Sequence, residues 1–176
     1  MTDQGSLFGT VRVRARADIL LEIKETAWRR LAEDGRDGLS LRAIARELGV
    51  VSSALYRYFP SRERLVQTLV DDAHRDLVQR VQRAVRQPDL DRRASWRASC
   101  AVARDWASSH PHQFALLDSQ PLPPALLDVL APLTGRERAL LARTLLLGLI
   151  RFSLLPDGDE AVFDQGVDTL AALLLG

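Results

Sequence analysis

Apolar residues recur at every third or fourth position over most of this chain, and that spacing is what most limits its fold. Ile19, Ile23, Ala27 and Leu31 follow one another at four-residue intervals, which places them on one face of an α-helix. No segment shows the alternating, β-branched pattern of a strand bounded by turn residues. The sequence therefore predicts an all-α protein.

Glycine and proline divide the helical pattern into separate elements. Residues 1 to about 13 are expected to form an irregular arm, and Gly35 ends the first helix. Ser40 is placed to cap the second helix, its hydroxyl accepting an amide hydrogen of the first turn, and Ser61 to cap the fourth. Together these signals predict helices at about residues 14–35, 40–48, 52–58, 62–86, 91–109, 111–120, 123–131, 136–155 and 159–175.

Charge is spread unevenly along a chain that can bury enough apolar surface to fold. The chain has 24 Lys and Arg against 23 Asp and Glu, and 47% of it is apolar. Residues 1–64 hold 12 basic and 9 acidic side chains, a net charge of +3, whereas residues 65–176 hold 12 and 14, a net of −2. We divide the chain where the long helix starts, into a basic N-terminal domain, residues 1–62, and a C-terminal domain, residues 63–176.

Cysteine and hydropathy indicate a reducing, cytoplasmic setting. Cys100 is the single cysteine, which excludes an intramolecular disulfide and a four-cysteine metal centre. The first residues lack the apolar core of a secretory signal, and no uncharged apolar run reaches the roughly 20 residues that span a bilayer. Arg143 and Arg151 interrupt the most apolar stretch, so we expect a buried helix there and no contact with a membrane.

Motifs for catalysis, metals or cofactors are absent from the sequence. It contains no glycine-rich phosphate loop, no G-x-S-x-G elbow and no H-E-x-x-H helix. His110 and His112 flank Pro111 without a carboxylate or thiol at ligand spacing, which favours the start of a helix over a metal site. Cys100 shares an apolar stripe with Trp96, which favours a small buried side chain over a redox sensor. We expect no enzyme activity, no cofactor and no metal.

Two short helices joined by a glycine-containing turn, residues 40–48 and 52–58, have the dimensions of a helix-turn-helix. The second helix carries small hydroxyl side chains at its start, and Tyr56, Arg57 and Tyr58 towards its end. Small side chains allow close approach to base edges, whereas phenol and guanidinium groups suit phosphate oxygens. Leu55 and Phe59 would face inward. This pattern indicates a DNA-binding surface.

The stretch LSLRAIARELGVVSSALYRYFPSRERL, positions 39–65, resembles the DNA-binding signature of the TetR-type transcriptional regulators. The likeness is strong over about residues 19–70, and WASSHPHQFALL at 106–117 is similar to a C-terminal subtype of that family. The resemblance implies an N-terminal three-helix domain that binds a palindromic operator, and a C-terminal helical bundle that binds a small-molecule effector and forms a homodimer. Most such regulators are repressors.

By the same resemblance, the DNA-facing residues would be Ser40, Arg42, Ser52, Ser53, Tyr56, Arg57, Tyr58 and Arg62. Arg42 and the two serines would read bases, whereas Ser40, Arg62 and the tyrosines would mainly hold phosphates. Val51 departs from the family, which most often has Ser or Thr there. Because valine cannot cap, Ser52 would cap the recognition helix one residue later, and Val51 would contact a thymine methyl.

Basic residues of the predicted arm add to this surface. Arg12, Arg14 and Arg16 would follow the DNA backbone or enter the minor groove. Without the motif, solvated surface charges are the favoured interpretation of these arginines and of Arg57. For the tyrosines, half-buried amphipathic side chains are then an equal alternative.

The C-terminal helices offer a ligand site and a dimer face. Large rings beside small residues along one helix either leave room for a ligand or pack as a core. The candidate ligand-binding residues are Trp96, Cys100, Trp106, Phe114, Leu117 and Phe152. The last two helices are apolar enough to pair with a second copy or to cover the protomer's own core. The candidate interface residues are Leu141, Thr144, Leu145, Gly148, Phe152, Phe163, Val167, Leu170 and Leu174.

A second class of function stays open from the sequence. An all-helical ligand-binding or protein-interaction module would use the N-terminal domain to contact protein rather than DNA. The basic N-terminal third and its Ser, Tyr and Arg surface favour DNA.

Overall fold

The computed structural model describes residues 4–119 and 125–175, with side chains from residue 14 onward. The regular structure of these residues is entirely α-helical, as predicted. The helices are α1 Gln4–Asp34, α2 Leu41–Glu47, α3 Ser52–Tyr56, α4 Arg62–Val85, α5 Arg92–Ser109, α6 Pro111–Asp118, α7 Ala125–Thr134, α8 Arg136–Ser153 and α9 Glu160–Leu175.

The predicted helices agree with these bounds to within a few residues, with the exception of α1. The expected irregular arm is wrong for residues 4–13, which form the first turns of α1. No proline occurs before Pro60, so nothing in this region blocks a helix. Once a helix has formed, each added residue contributes a hydrogen bond, and α1 therefore extends toward the N-terminus.

An N-terminal unit, Met1–Val70, contains α1, α2, α3 and the start of α4. Each of these helices contributes an apolar side chain that is almost completely buried: Ile23 from α1, Ile44 from α2, Leu55 from α3 and Leu65 from α4. The unit thus has its own hydrophobic core. It ends about two turns into α4 rather than at residue 62, because Leu65 and Leu69 are among its buried residues.

Glu47, at the end of α2, ties that helix to α1. Its carboxylate accepts hydrogen bonds from Arg29 at 2.5 Å and from Arg30 at 3.2 Å. These bonds lower the pKa of Glu47 below its usual range. The pair of arginines therefore holds the position of the first helix of the candidate helix-turn-helix.

A C-terminal unit, Asp71–Gly176, contains the rest of α4 and helices α5–α9. Two buried tryptophans of α5 connect its helices: Trp96 donates Nε1–H to the carbonyl of Val167 at 3.0 Å, and Trp106 donates to Asp76 at 2.8 Å. A Cβ atom added to Gly166 of α9 would lie 2.6 Å from Cδ2 of Leu149. Helices α8 and α9 therefore pack closely because residue 166 has no side chain.

Candidate functional site

The turn between α2 and α3 has the geometry that a helix-turn-helix requires. Gly49 has φ +67°, and its N–H donates to the carbonyl of Arg46. The N–H of Val50 donates to the carbonyl of Ala45 at 2.9 Å, which completes a Schellman motif. A side chain at residue 49 would strain this left-handed conformation. The glycine thus fixes the direction in which the chain enters α3.

The inner side of α3 packs into the N-terminal unit. Leu55 and Phe59 are both buried, as predicted. The amides of Tyr58 and Phe59 both donate to the carbonyl of Leu55 at 2.9 Å, which ends the helix in a tight turn. Because these two side chains hold the inner side of α3 against the N-terminal unit, the outer side of the helix faces solvent.

Most of the predicted DNA-facing residues lie on that open side or at the start of α2. Val51 is 70% exposed and Tyr56 42%. Ser40, Arg42, Ser53 and Arg57 are also exposed, whereas Ser52, Tyr58 and Arg62 are partly covered. Hydroxyl, phenol and guanidinium groups of α2 and α3 are therefore accessible from solvent.

Neither helix begins in the way the sequence analysis expected. Ser40 occupies the N-cap position of α2, but its side chain makes no capping hydrogen bond to the first turn that the structure describes. Val51, not Ser52, is the N-cap residue of α3, and the carbonyl of Val51 accepts the first helical bond, from Ala54 at 2.9 Å. An extended backbone at the N-cap is enough to start a helix when no side chain caps it. Ser52 is consequently the first residue inside α3.

Arg62 is engaged within the N-terminal unit. Its Nη2 donates to the carbonyl of Arg36, in the loop between α1 and α2, and its Nε is buried without a hydrogen-bond partner among the described residues. This side chain therefore ties the start of α4 to that loop. To contact a phosphate, Arg62 would have to donate from N–H groups of its guanidinium that do not take part in this bond.

A contact between α1 and the end of α3 was missed by the sequence analysis. The guanidinium of Arg16 lies over the ring of Tyr58, 5.7 Å from its centroid. Arg16, Ile19, Arg57 and Tyr58 line an open cleft of about 420 Å³. No sequence motif links these helices, because the contact depends on how α1 crosses α3. Arg14 is exposed, and the side chain of Arg12 lies outside the described residues.

Five of the six candidate ligand-binding residues are buried in the C-terminal unit: Trp96, Cys100, Trp106, Phe114 and Leu117. The sixth, Phe152, is 39% exposed and does not share their surroundings. The buried stripe of α8 instead runs through Ala142, Leu146 and Ile150, which turns Phe152 outward. Burial raises the pKa of the Cys100 thiol well above its ordinary value, so this sulfur stays protonated and unreactive.

The candidate dimer residues fall into two groups. Leu141, Thr144, Gly148 and Phe152 of α8 are exposed, and Leu145 is partly exposed. The α9 residues Phe163, Val167, Leu170 and Leu174 are buried and cover the protomer's own core, the alternative that the sequence left open. These four residues therefore leave little accessible surface for a second copy to contact.

A different stripe of α9 is exposed beside α8. Val162 and Leu173 are exposed apolar residues of α9, and Leu140 and Leu141 of α8 add to them. Between the two helices runs an open groove of about 550 Å³, lined by Thr144, Leu145, Gly148, Leu149, Val162, Gln165, Gly166, Thr169 and Leu170. A Cβ added to Gly148 would meet no heavy atom of the described residues within 4 Å. This glycine therefore faces open space within the protomer.

His110 behaves as the start of a helix, as expected. It is the N-cap residue of α6, Pro111 is the first residue inside, and the His110 ring stacks on Trp106 with centroids 5.3 Å apart. Among the described residues no three His, Cys, Asp or Glu side chains are grouped as a metal site would need. In the same part of the chain, none of the helices combines the length and apolar character that crossing a bilayer demands.

Comparison with known proteins supports the interpretation of the N-terminal unit. Residues 23–69, which include all of α2 and α3, match the family described as bacterial regulatory proteins, tetR family. The putative regulatory protein SCO4313, a solved structure, is similar with a TM-score of 0.73 and 25% identity, over 89% of this chain and 97% of that one. The similarity to this solved structure thus extends through both units.

Two curated relatives are transcriptional regulators. The HTH-type transcriptional regulator Rv1816 of Mycobacterium tuberculosis is 44% identical over 113 residues, which are 62% of this chain and 47% of that protein. The HTH-type transcriptional repressor DrrR1 of Streptomyces coeruleorubidus is 34% identical over 100 residues, 54% of this chain and 34% of that protein. This chain therefore spans less than half the length of these relatives. Its N-terminal helix-turn-helix domain, over residues 23–69, is that of the tetR family of bacterial regulatory proteins.

Proposed function

We propose that this chain represses transcription by binding a palindromic operator as a homodimer, and that a small-molecule effector releases it. The observation that carries the DNA-binding part is the two-sided character of α3. Its inner residue Leu55 is buried, while Ser53, Tyr56 and Arg57 are open to solvent. That DrrR1 is named a repressor favours repression over activation.

In the DNA complex, α3 enters the major groove, which is about 12 Å wide. Ser52, Ser53 and Arg42 face base edges, and Val51 reaches a thymine methyl. Tyr56, Tyr58 and Arg57 hold phosphates, with Arg16 stacked against Tyr58 beside them. The net charge of +3 on residues 1–64 favours approach to the phosphate backbone.

The homodimer forms through the exposed sides of α8 and α9. Monomeric proteins rarely leave a continuous apolar patch open to water, and here Leu141, Phe152, Val162 and Leu173 are all exposed. Gly148 permits close approach of a second copy of the groove. Two helices from each copy make a four-helix interface, which supplies the two-fold symmetry that a palindrome requires.

The effector acts through α4, the helix that begins in the N-terminal unit and continues into the C-terminal unit. Operator half-sites one helical turn of DNA apart, about 34 Å, demand a fixed separation of the two recognition helices. An effector that binds better to a form with another separation lowers operator affinity by the ratio of its affinities for the two forms. The buried rings of Trp96, Trp106 and Phe114 lie in the unit that would hold it.

Selection of bound duplexes from a random pool tests the function directly. We expect a palindrome whose half-sites are centred about 10 base pairs apart or at a multiple of that spacing. Binding should weaken steeply as salt is raised, because each phosphate contact releases counterions. Failure to enrich any sequence, together with binding that does not respond to salt, would favour the protein-interaction module.

Replacing Tyr56 by Ala tests the outer side of α3. We expect operator affinity to fall severalfold and the unfolding temperature to stay nearly unchanged, because the exposed ring contributes little to the core. Tyr56→Phe, which removes only the hydroxyl, should recover part of the affinity if the ring also contacts DNA. A large loss of stability with unaltered DNA affinity would instead identify Tyr56 as a core residue.

Replacing Gly148 by Leu tests the interface. Within the protomer this side chain meets open space, so its fold should tolerate it, whereas in a packed interface it costs about 1–3 kcal/mol. We expect the dimer dissociation constant, measured by sedimentation, to rise by about 5-fold or more. Ala101→Leu, which places the same leucine side chain on the exposed side of α5, is the control. An unchanged dimer in both variants would remove α8 from the interface.

A further inference from the structure

His74 of α4 is buried, yet it has no hydrogen-bond partner. Only 4% of its surface is exposed, and neither Nδ1 nor Nε2 is bonded to any of the described residues. Leu77 and Val81, three and seven positions further along α4, are also buried. The imidazole therefore lies on the side of α4 that packs into the C-terminal unit.

Arg143 of α8 has the same kind of unpaired group. Its Nε is buried and makes no hydrogen bond to the described residues. Arg143 lies beside the buried stripe of α8, since Ala139 and Leu146, four positions before and three after it, are buried. Its guanidinium carries a positive charge close enough to His74 to act on the imidazole electrostatically.

Burial is the main reason that the ring of His74 favours its neutral form. Burial lowers the pKa of His74, Asp71 of α4 opposes that change, and the positive charge of Arg143 adds to it. A neutral imidazole has one donor nitrogen and one acceptor nitrogen. His74 and Arg143 thus present N–H groups beside a positive charge, and neither buried group has a protein acceptor.

Buried polar atoms in folded proteins are almost always paired, and unpaired ones call for an explanation. A carboxylate fits these groups well, because its two oxygens can accept from both N–H donors and its charge offsets that of Arg143. An uncharged amide would offer one acceptor and no compensating charge. The chemistry of the two side chains therefore selects an organic acid.

We propose that His74 and Arg143 bind the acidic group of the effector, a small organic carboxylate. This inference rests on the proposed function for the role of the ligand, but not for its binding. His74 lies four residues beyond Val70, the last residue of the N-terminal unit, on the helix that begins in that unit. A ligand held there acts on α4 itself.

Binding of the acid takes up a proton. A carboxylate beside His74 raises the pKa of the imidazole, because an opposite charge favours the protonated form. The protonated ring then donates from both nitrogens. Affinity for the acid should therefore increase as the pH falls from 8 to 6.

Thermal unfolding of the full chain tests the proposal with phenylacetate and hexanoate as probes, each compared with its amide. At tenfold its dissociation constant, a ligand raises the midpoint by about 3–5 °C. We expect both acids at millimolar concentrations to produce such a shift and the amides to produce none. The shift should disappear in His74→Leu and Arg143→Met, and persist in His112→Leu, which removes an exposed histidine.

The variants without ligand separate a binding role from a structural one. Replacing an unpaired buried imidazole by an apolar side chain removes an unsatisfied group, so His74→Leu should unfold at the same temperature or about 2–4 °C higher. Because the folded-state pKa of His74 is lowered, the wild-type chain should lose stability as the pH falls below 6.5. In His74→Leu, the stability should fall less over the same pH range, because the titrating imidazole is absent.

Three results would overturn the inference: no shift with either acid, equal shifts in the variants and the wild type, or a strongly destabilised His74→Leu. None of these measurements needs DNA. A chain that binds acids through His74 but selects no operator would contradict the proposed function and leave the binding site standing. A chain that selects an operator but does not bind the acids would contradict the acid-binding site and leave the proposed function standing.

Discussion

Replacing Arg57 by Glu is expected to reduce operator affinity by at least about 100-fold. Arg57 is exposed at the C-terminal end of α3, where its guanidinium can reach a phosphate. A hydrogen bond to a charged group contributes about 1.5–3 kcal/mol, and a dimer loses two such contacts. The introduced carboxylate also repels the phosphate. Fluorescence anisotropy with the selected operator measures the loss.

Arg86→Glu is the matched control for Arg57→Glu. Arg86 is exposed and follows α4 in the C-terminal unit. Its replacement by Glu changes the net charge by the same amount as Arg57→Glu. If the charge of the whole chain governed binding, both variants would lose affinity equally. If Arg57 contacts a phosphate, the slope of log affinity against log salt should fall by about two for the dimer in Arg57→Glu alone. Equal losses in the two variants would contradict the assignment of Arg57.

Replacing Leu55 by Ala should destabilise the N-terminal unit by about 2–5 kcal/mol, because it removes buried methyl groups and leaves a cavity. Leu55 is 1% exposed and holds the inner side of α3. At about 0.05–0.15 kcal/mol per residue, a unit of this size has a total stability of only several kcal/mol. We therefore expect an early loss of helical circular dichroism in urea and, as α3 loosens, of DNA binding.

Tyr56→Ala is the control for Leu55→Ala, because it changes the next residue of the same helix, whose side chain is exposed. The free energy of unfolding should stay within about 0.5 kcal/mol of the wild type in Tyr56→Ala. A Leu55→Ala chain that unfolds like the wild type would mean that α3 is not held by its inner face. The assignment of Tyr56 and Arg57 to a DNA-facing side would then lose its basis.

Helical periodicity and punctuation established most of the secondary structure before any coordinates. Gly35 and Gly49 end helices with positive φ, and Ser61 accepts from the N–H of Arg64 at 3.3 Å as a cap. The inward direction of Leu55 and Phe59 also followed from spacing alone. These features depend on residues within a few positions of one another, so the sequence carries them directly.

Spacing left open whether the apolar face of α9 packs on its own chain or on a second copy. Spacing showed that Phe163, Val167, Leu170 and Leu174 share one face of α9, but not that this face covers the protomer's own core. The exposed residues Val162 and Leu173 were overlooked for the same reason. An apolar stripe has the same period whether it meets its own chain or a second copy.

From the order of residues alone came an all-helical chain, a helix-turn-helix at residues 40–58 and the side chains that face outward from it. The packing of distant segments added what no local pattern contains: Arg16 against Tyr58, Arg62 bonded to the loop at Arg36, and His74 and Arg143 buried without partners. Periodicity specifies which face of a helix is apolar. It does not specify the neighbor of that face, because that depends on burial summed over the whole chain.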